Sequence, residues 1–271
     1  MRYFNLFNIA ILLVLASCGR SYDNPEIIDP PIVQPLILPV KITINNDAIY
    51  NVSYDGQKVK ELTGNKGGKI LFTYDGELIT NIQSYNNEKL ISEYSYTYIN
   101  NRLIKENQYY PAYGTKTFIY EYLDNAKVQI SHSETFASRD YTVSGIYNLT
   151  NGMITSGAST GTGYESGIKA DFKENIQVAY ITKNFPFKNV KGFDKLINYD
   201  LSFMGKAFAS YSNIVEYRKD NGATGNIFKI YKSTFNYNTM DYPVSEIQKP
   251  YNIDGTPYPL NPVAITYEYN Y

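Results

Sequence analysis

The chain has no tryptophan, one histidine and one cysteine in 271 residues. Each scarcity excludes something. A Ser-His-Asp triad would have to use His132, yet its surroundings, ISHSET, alternate like a strand and lack the sharp turn that exposes a nucleophile. One histidine and one cysteine do not fill a zinc site, so no metal and no cofactor is expected. There is no basic excess: 25 Lys and Arg stand against 26 Asp and Glu, a net charge of −1, so nucleic acid is not an expected partner. GTGYESG has the glycines of a phosphate loop without the strand–loop–helix setting or the Lys-Ser/Thr pair. Glycosidase chemistry needs two carboxylates about 5–10 Å apart. Asp55, Asp75 and Asp124 instead fall at predicted turns, where bonding the backbone is their ordinary use. The expectation is a protein that is not an enzyme.

A long apolar run is also missing. Leu6, Phe7 and Ile9 to Ala16 follow Arg2, but the run is short of the ~20 residues a transmembrane helix needs. A positive start, a short apolar core and small residues before a cut form a secretory signal peptide, expected over residues 1–17. The one cysteine sits where that run stops. Leu15, Ala16, Ser17 and Cys18 resemble a bacterial lipobox, in which the cysteine takes diacylglycerol and becomes the new N-terminus. Two acyl chains make membrane anchoring stable. Gly19, not Asp, follows the cysteine, which by the lipoprotein rule favours the outer membrane; periplasmic face and cell surface stay open. Residues 18–40 carry the lipidated cysteine and a tether. Pro25, Pro30, Pro31, Pro35 and Pro39 make it extended, and its apolar later half is suited to lie along the domain.

What is plentiful is tyrosine, 29 of them, in a chain that is 43% hydrophobic. Tyrosine favours strands and suits half-buried sheet surfaces. The alternation of Phe72/Tyr74, Tyr94/Tyr96/Tyr98 and Phe118/Tyr120/Tyr122 with polar neighbours has the period of two expected of antiparallel strands. These strands recur in a frame: YDGQKV from Tyr54, YDGELI from Tyr74, YINNRLI from Tyr98, YLDNAKV from Tyr122 and YNLTNGMI from Tyr147. Each unit is a strand, a tight Asp/Asn/Gly turn and an aliphatic start to the next strand, so one repeat of 20–25 residues is one hairpin.

The frame resembles the tyrosine-aspartate (YD) repeat, whose pattern is Tyr-Asp, a short gap, Gly or Asn, Arg, then Leu. Asn101-Arg102-Leu103 matches it, Tyr74-Asp75-Gly76 matches its start, and the arginine is otherwise missing. Together, lipobox, proline tether and tyrosine hairpins are similar to a family of Bacteroidetes lipoproteins of unknown function. That resemblance implies a porin-like β-fold over residues 41–271 and brings no catalytic residues.

The expected fold is therefore all-β: tandem antiparallel hairpins, about sixteen strands, forming a strongly curved meander or porin-like barrel. The rhythm breaks between Ser156 and Asn213. GASTGTGYESG reads as a flexible loop. One short helix or loop insertion is expected near 189–205, with Phe193, Leu196, Ile197, Leu201 and Met204 at helical spacing before Gly205. If hairpins pair in register, Tyr96, Tyr98, Tyr120 and Tyr122 form a ladder that either stacks on sugar rings or supplies cross-strand packing. The functional expectation is a lipid-anchored, non-enzymatic envelope protein that binds a glycan or peptide. The alternatives are an assembly partner of another envelope protein, or a membrane-inserted barrel, for which the alternating aromatic terminus ITYEYNY speaks.

Overall fold

The computed structural model describes residues 36–136, 139–197, 214–221, 227–252 and 255–271. Sixteen strands follow one another: β1 (Pro39–Ile44), β2 (Ala48–Asp55), β3 (Lys58–Gly64), β4 (Gly68–Asp75), β5 (Leu78–Asn86), β6 (Lys89–Ile99), β7 (Arg102–Tyr110) and β8 (Gly114–Tyr122) make the first half. The second half is β9 (Lys127–Phe136), β10 (Arg139–Thr150), β11 (Met153–Glu165), β12 (Ile168–Tyr180), β13 (Ile214–Asn221), β14 (Ile227–Tyr237), β15 (Pro243–Tyr251) and β16 (Val263–Tyr269). Each pairs antiparallel with its sequence neighbours, and β1 pairs with both β2 and β16, so the meander closes into a barrel.

Local chemistry makes the hairpins. Asn87-Glu88 and Asn100-Asn101 each hold two successive positive φ angles, the two-residue turn whose twist matches that of the flanking strands, and Asn45-Asn46 opens the three-residue β1–β2 turn in the same conformation. A bulge recurs one step before the frame's tyrosine, between Ser53/Tyr54, Thr73/Tyr74 and Thr97/Tyr98. Bulges bend strands and re-aim side chains, here at one rim of the barrel. We call the rim where β1 starts and β16 ends the near end.

Both faces of the barrel wall are mixed. Among inward positions Ile42, Leu62, Ile79, Ile82, Phe118 and Val128 are essentially without solvent contact, alongside buried Glu106, Glu134 and Glu246, and Ile91, Ile119 and Ile146 are exposed on the outward face. Outward positions on β10, β11 and β12 include Thr142, Ser144, Thr160, Thr162, Asp171 and Lys173, all exposed. A sixteen-stranded barrel is wide enough for an aqueous channel. Here residues 181–197 leave β12 and pack into the near end, where Phe187, Val190, Phe193 and Ile197 join the apolar clusters of the barrel.

That inserted segment is a loop with a single 3-10 turn, Phe193–Lys195, after which Leu196 returns to extended backbone. The helical spacing correctly marks Phe193 and Ile197 as buried; Leu201, Met204 and Gly205 lie outside the described residues. Phe187 and Phe193 stack at 4.7 Å, and Phe193 meets Phe72 on β4. Backbone bonds from Asn184 to Asp241 and from Lys191 to Gln57 tie the plug to two near-end hairpins. Asn189 donates to the Ile37 carbonyl and to the Tyr242 hydroxyl. The entering chain is tied down as well, because Leu38 and Asn270 exchange hydrogen bonds.

The expectation of a flexible loop at GASTGTGYESG is corrected. These residues form most of β11, and Gly157, Gly161 and Gly163 are on its inward face, in register with Tyr147, Val143 and Tyr141. The Tyr147 ring lies where a Cβ on Gly157 would be, 2.0 Å from it. Tyr141 and Phe172 stack at 4.3 Å from the strands on either side of β11. Glycine is there to admit aromatic rings from both neighbours, a close approach that a side chain on β11 would block.

Candidate functional site

The near-end tyrosines act as struts. The hydroxyl of each donates to a carbonyl at the start of the preceding strand: Tyr54 to Pro39 at 2.6 Å, Tyr98 to Ile79 at 2.8 Å, Tyr180 to Ile154 at 2.6 Å and Tyr269 to Pro243 at 2.7 Å. Tyr74 faces Val59 in the same way, although its buried hydroxyl falls short of hydrogen-bond geometry. Four rim tyrosines, Tyr54 and Tyr98 of the repeat frame among them, thus tie their strands to the start of the strand before.

Tyr122 occupies the same position on β8 and breaks the series. Its hydroxyl makes no hydrogen bond among the described residues. Its ring carries the Arg102 guanidinium, 5.0 Å from the centroid. Burial raises the Tyr122 pKa and the arginine beside it opposes that shift. Arg102 Nη2 also donates to Asn125 Oδ1 at 2.7 Å. The two residues line a cleft of about 220 Å³ between the plug and the β6–β7, β8–β9 and β10–β11 turns. Its floor is apolar, from Leu103, Leu149 and Ile197, and its rim carries Asn101, Asp194 and Lys195. Asp194 and Lys195 pair at 2.7 Å.

The lumen holds polar groups deeper in. On β7 and β8, Gln108 Nε2 donates to Glu106 Oε1 at 2.8 Å and Tyr120 donates to Glu106 Oε2 at 2.9 Å. On β15 and β16, eight strands on, Gln248 Nε2 donates to Glu246 Oε1 at 2.8 Å and Tyr267 to Glu246 Oε2 at 3.3 Å. The strands that carry them read alike: FIYEY from Phe118 and ITYEY from Ile265, each beside a Glu-x-Gln. That duplicated motif was the available signal for these residues. Near the opposite rim, Glu134 is fully buried and takes Arg139 at 2.5 Å, Lys116 at 3.3 Å and the Tyr141 hydroxyl at 3.1 Å. Tyr141 also bonds His132 Nε2 at 3.1 Å, and His132 stacks on Phe118. The lone histidine is a packed strand residue.

The structure separates the four ladder tyrosines. Tyr96, Tyr98 and Tyr120 project into the barrel; Tyr98 and Tyr120 have bonded hydroxyls, and Tyr96 packs between the two apolar clusters of the core. Tyr122 alone of the four lines the cleft. Sequence reasoning found Tyr122 as a sugar-stacking candidate and Arg102 as the frame's one arginine, but gave no reason to join them. Leu15, Ala16, Ser17 and Cys18 lie outside the described residues. Among those described, no group of three or more His, Cys, Asp or Glu side chains is placed to hold a metal ion.

No protein-family model matches the chain, and no curated protein does. Solved structures do. A porin-like protein from Bacteroides vulgatus ATCC 8482, a crystal structure at 2.80 Å, aligns over 86% of this chain and 99% of its own, with a TM-score of 0.53 and 13% identity. The fold is porin-like. A porin-like protein from Bacteroides uniformis ATCC 8492 aligns over 86% of this chain and 96% of its own, with a TM-score of 0.40 and 12% identity. At such identity the first likeness speaks to fold alone. It agrees with the porin-like β-fold that the Bacteroidetes resemblance implied, while the YD-repeat likeness finds no family match.

Proposed function

We propose that the chain is an outer-membrane lipoprotein, anchored through Cys18, whose barrel stands in water and binds a saccharide in the near-end cleft without catalysing a reaction on it. One observation carries the choice of site. Tyr54, Tyr98, Tyr180 and Tyr269 spend their hydroxyls on carbonyls and the unbonded Tyr74 hydroxyl is buried, whereas Tyr122 leaves its own unused beside a cleft with an apolar floor and asparagines among its lining residues. Sugar recognition uses that combination: an apolar surface for the C–H face of the ring and planar polar groups for its hydroxyls. The periplasmic face and the cell surface are both compatible with this reading.

The membrane-inserted alternative meets a physical objection. Lys173 and Asp171 lie on the outward face of β12. A lysine facing lipid at mid-bilayer costs about 2–4 kcal/mol, with the threonine and serine rows adding to it. The assembly-partner reading draws on a different feature, the exposed Tyr113, Tyr164 and Ile168 at the turns of the far rim. A saccharide array with the purified protein discriminates between them. Binding lost by Tyr122→Ala and kept by Tyr164→Ala supports the cleft. Absence of any saccharide binding, with co-purification of an envelope protein that Tyr164→Ala abolishes, supports the partner reading.

A further inference from the structure

Resting on the saccharide reading of the cleft, we infer that its ligand is an acidic sugar, a uronate, whose carboxylate is held by Arg102. Cations in and around the cleft and lumen differ in their partners, and among the described residues Arg102 and Lys195 are the two that line the cleft. Arg139 spends its charge on Glu134, Lys191 pairs with Glu77 at 3.1 Å and Lys195 pairs with Asp194 at 2.7 Å. Arg102 has neutral partners only, the Tyr122 ring and the Asn125 carbonyl oxygen, among the described residues. With Lys195 and Asp194 cancelling, the described lining residues of the cleft keep one net positive charge, and it belongs to a guanidinium.

That guanidinium is also held in place. The ring beneath it and the 2.7 Å bond to Asn125 fix its plane and one of its five N–H groups. A planar fork whose remaining N–H groups have no partner among the described residues matches a carboxylate in two parallel bonds, and less of the side chain's freedom is lost on binding. Because the arginine covers Tyr122, the sugar ring is not offered that face. It meets the floor of Leu103, Leu149 and Ile197 instead, with its carboxylate on the arginine and its hydroxyls on the rim amides. The cleft is smaller than a drug-sized pocket, so it suits a single ring of a chain whose other residues remain outside.

The test is calorimetric titration of the purified protein with a galacturonate trisaccharide, with the methyl ester of the same trisaccharide and with neutral maltotriose. Esterification removes the charge and little else. The acid is expected to bind at least about tenfold more tightly than its ester. Arg102→Gln is expected to remove that preference, weakening the acid by the same factor and leaving the ester unchanged. Arg102 is exposed, so an unchanged thermal midpoint for the variant controls for folding. Equal binding of acid and ester, a preference that survives Arg102→Gln, or binding of maltotriose alone overturns the acidic ligand and leaves the saccharide reading in place. No binding of any of the three overturns both.

Discussion

At the scale of single residues, the two Glu–Gln–Tyr sets form an internal control. In the first, Gln108 Oε1 accepts from Tyr110 at 3.1 Å, so the amide is used at both ends. In the second, the residue two beyond Gln248 is Pro250, and Gln248 Oε1 is buried with no hydrogen-bond partner among the described residues. A buried acceptor left without a donor costs about 1–3 kcal/mol. Gln108→Leu strips a donor from Glu106 and an acceptor from Tyr110. Gln248→Leu strips a donor from Glu246 but also removes the unsatisfied oxygen. Gln108→Leu should therefore destabilise by about 1–2 kcal/mol more than Gln248→Leu in urea unfolding. Equal costs would mean that the orphaned oxygen has a donor.

In the strut series, Tyr98→Phe and Tyr180→Phe each lose a hydrogen bond to a carbonyl and should cost about 1 kcal/mol, whereas Tyr122→Phe should cost nothing measurable. Matched denaturant midpoints for the three variants would refute the distinction between struts and cleft. In the plug, Gly192 has φ +84, and a Cβ there would come within 2.8 Å of Ile79 Cγ1 and 2.9 Å of the Glu77 carbonyl oxygen. Gly192→Ala is expected to lower stability by about 1–3 kcal/mol and to loosen the cleft wall beside it, read as weaker saccharide binding. The hairpins of the repeat frame were legible in the sequence because both of their signals are local: a period of two along the strands, and Asn or Asp-Gly at the near-end turns from β2–β3 to β10–β11. β11 was not, because a strand whose inward positions are glycines has no hydrophobic alternation to see. Its pattern exists only in the Tyr147 and Phe172 rings that neighbouring strands lay over it. The plug was half legible, since its apolar spacing marks burial but cannot distinguish a helix from a loop threaded into a barrel.

At the scale of the whole molecule, closure was the least legible feature. The pairing of β1 with β16 joins Ile42 to Tyr267, and nothing local announces a contact between the two ends of a chain. The tyrosine content becomes a property of the whole barrel through its titration. Burial first, and neighbouring Glu106 or Glu246 next, raise the pKa of Tyr96, Tyr120 and Tyr267 well above 10. Above pH 10 the unfolded chain gives up protons that the folded chain keeps, so the linkage has one sign: stability is untouched below that pH and falls above it. Each such tyrosine contributes about 1.4 kcal/mol per pH unit. Far-ultraviolet circular dichroism and tyrosinate absorbance should therefore change together in a steep step above pH 10. A smooth phenolic titration with the strand signal intact would contradict a tyrosine-packed lumen.

Single-cysteine labelling in the membranes of expressing cells shows whether the barrel faces water outside and is packed inside. On the proposed lipidation, the Cys18 thiol is blocked in the wild type and a Cys18→Ala change would alter the location, so the wild type is the right parent. Outward Thr142→Cys, Ser144→Cys and Thr160→Cys should react rapidly with a polar maleimide, while inward Val128→Cys and Val143→Cys stay protected until the protein is unfolded. Protected outward sites and reactive inward ones, the pattern of a water-filled pore in lipid, would contradict that arrangement.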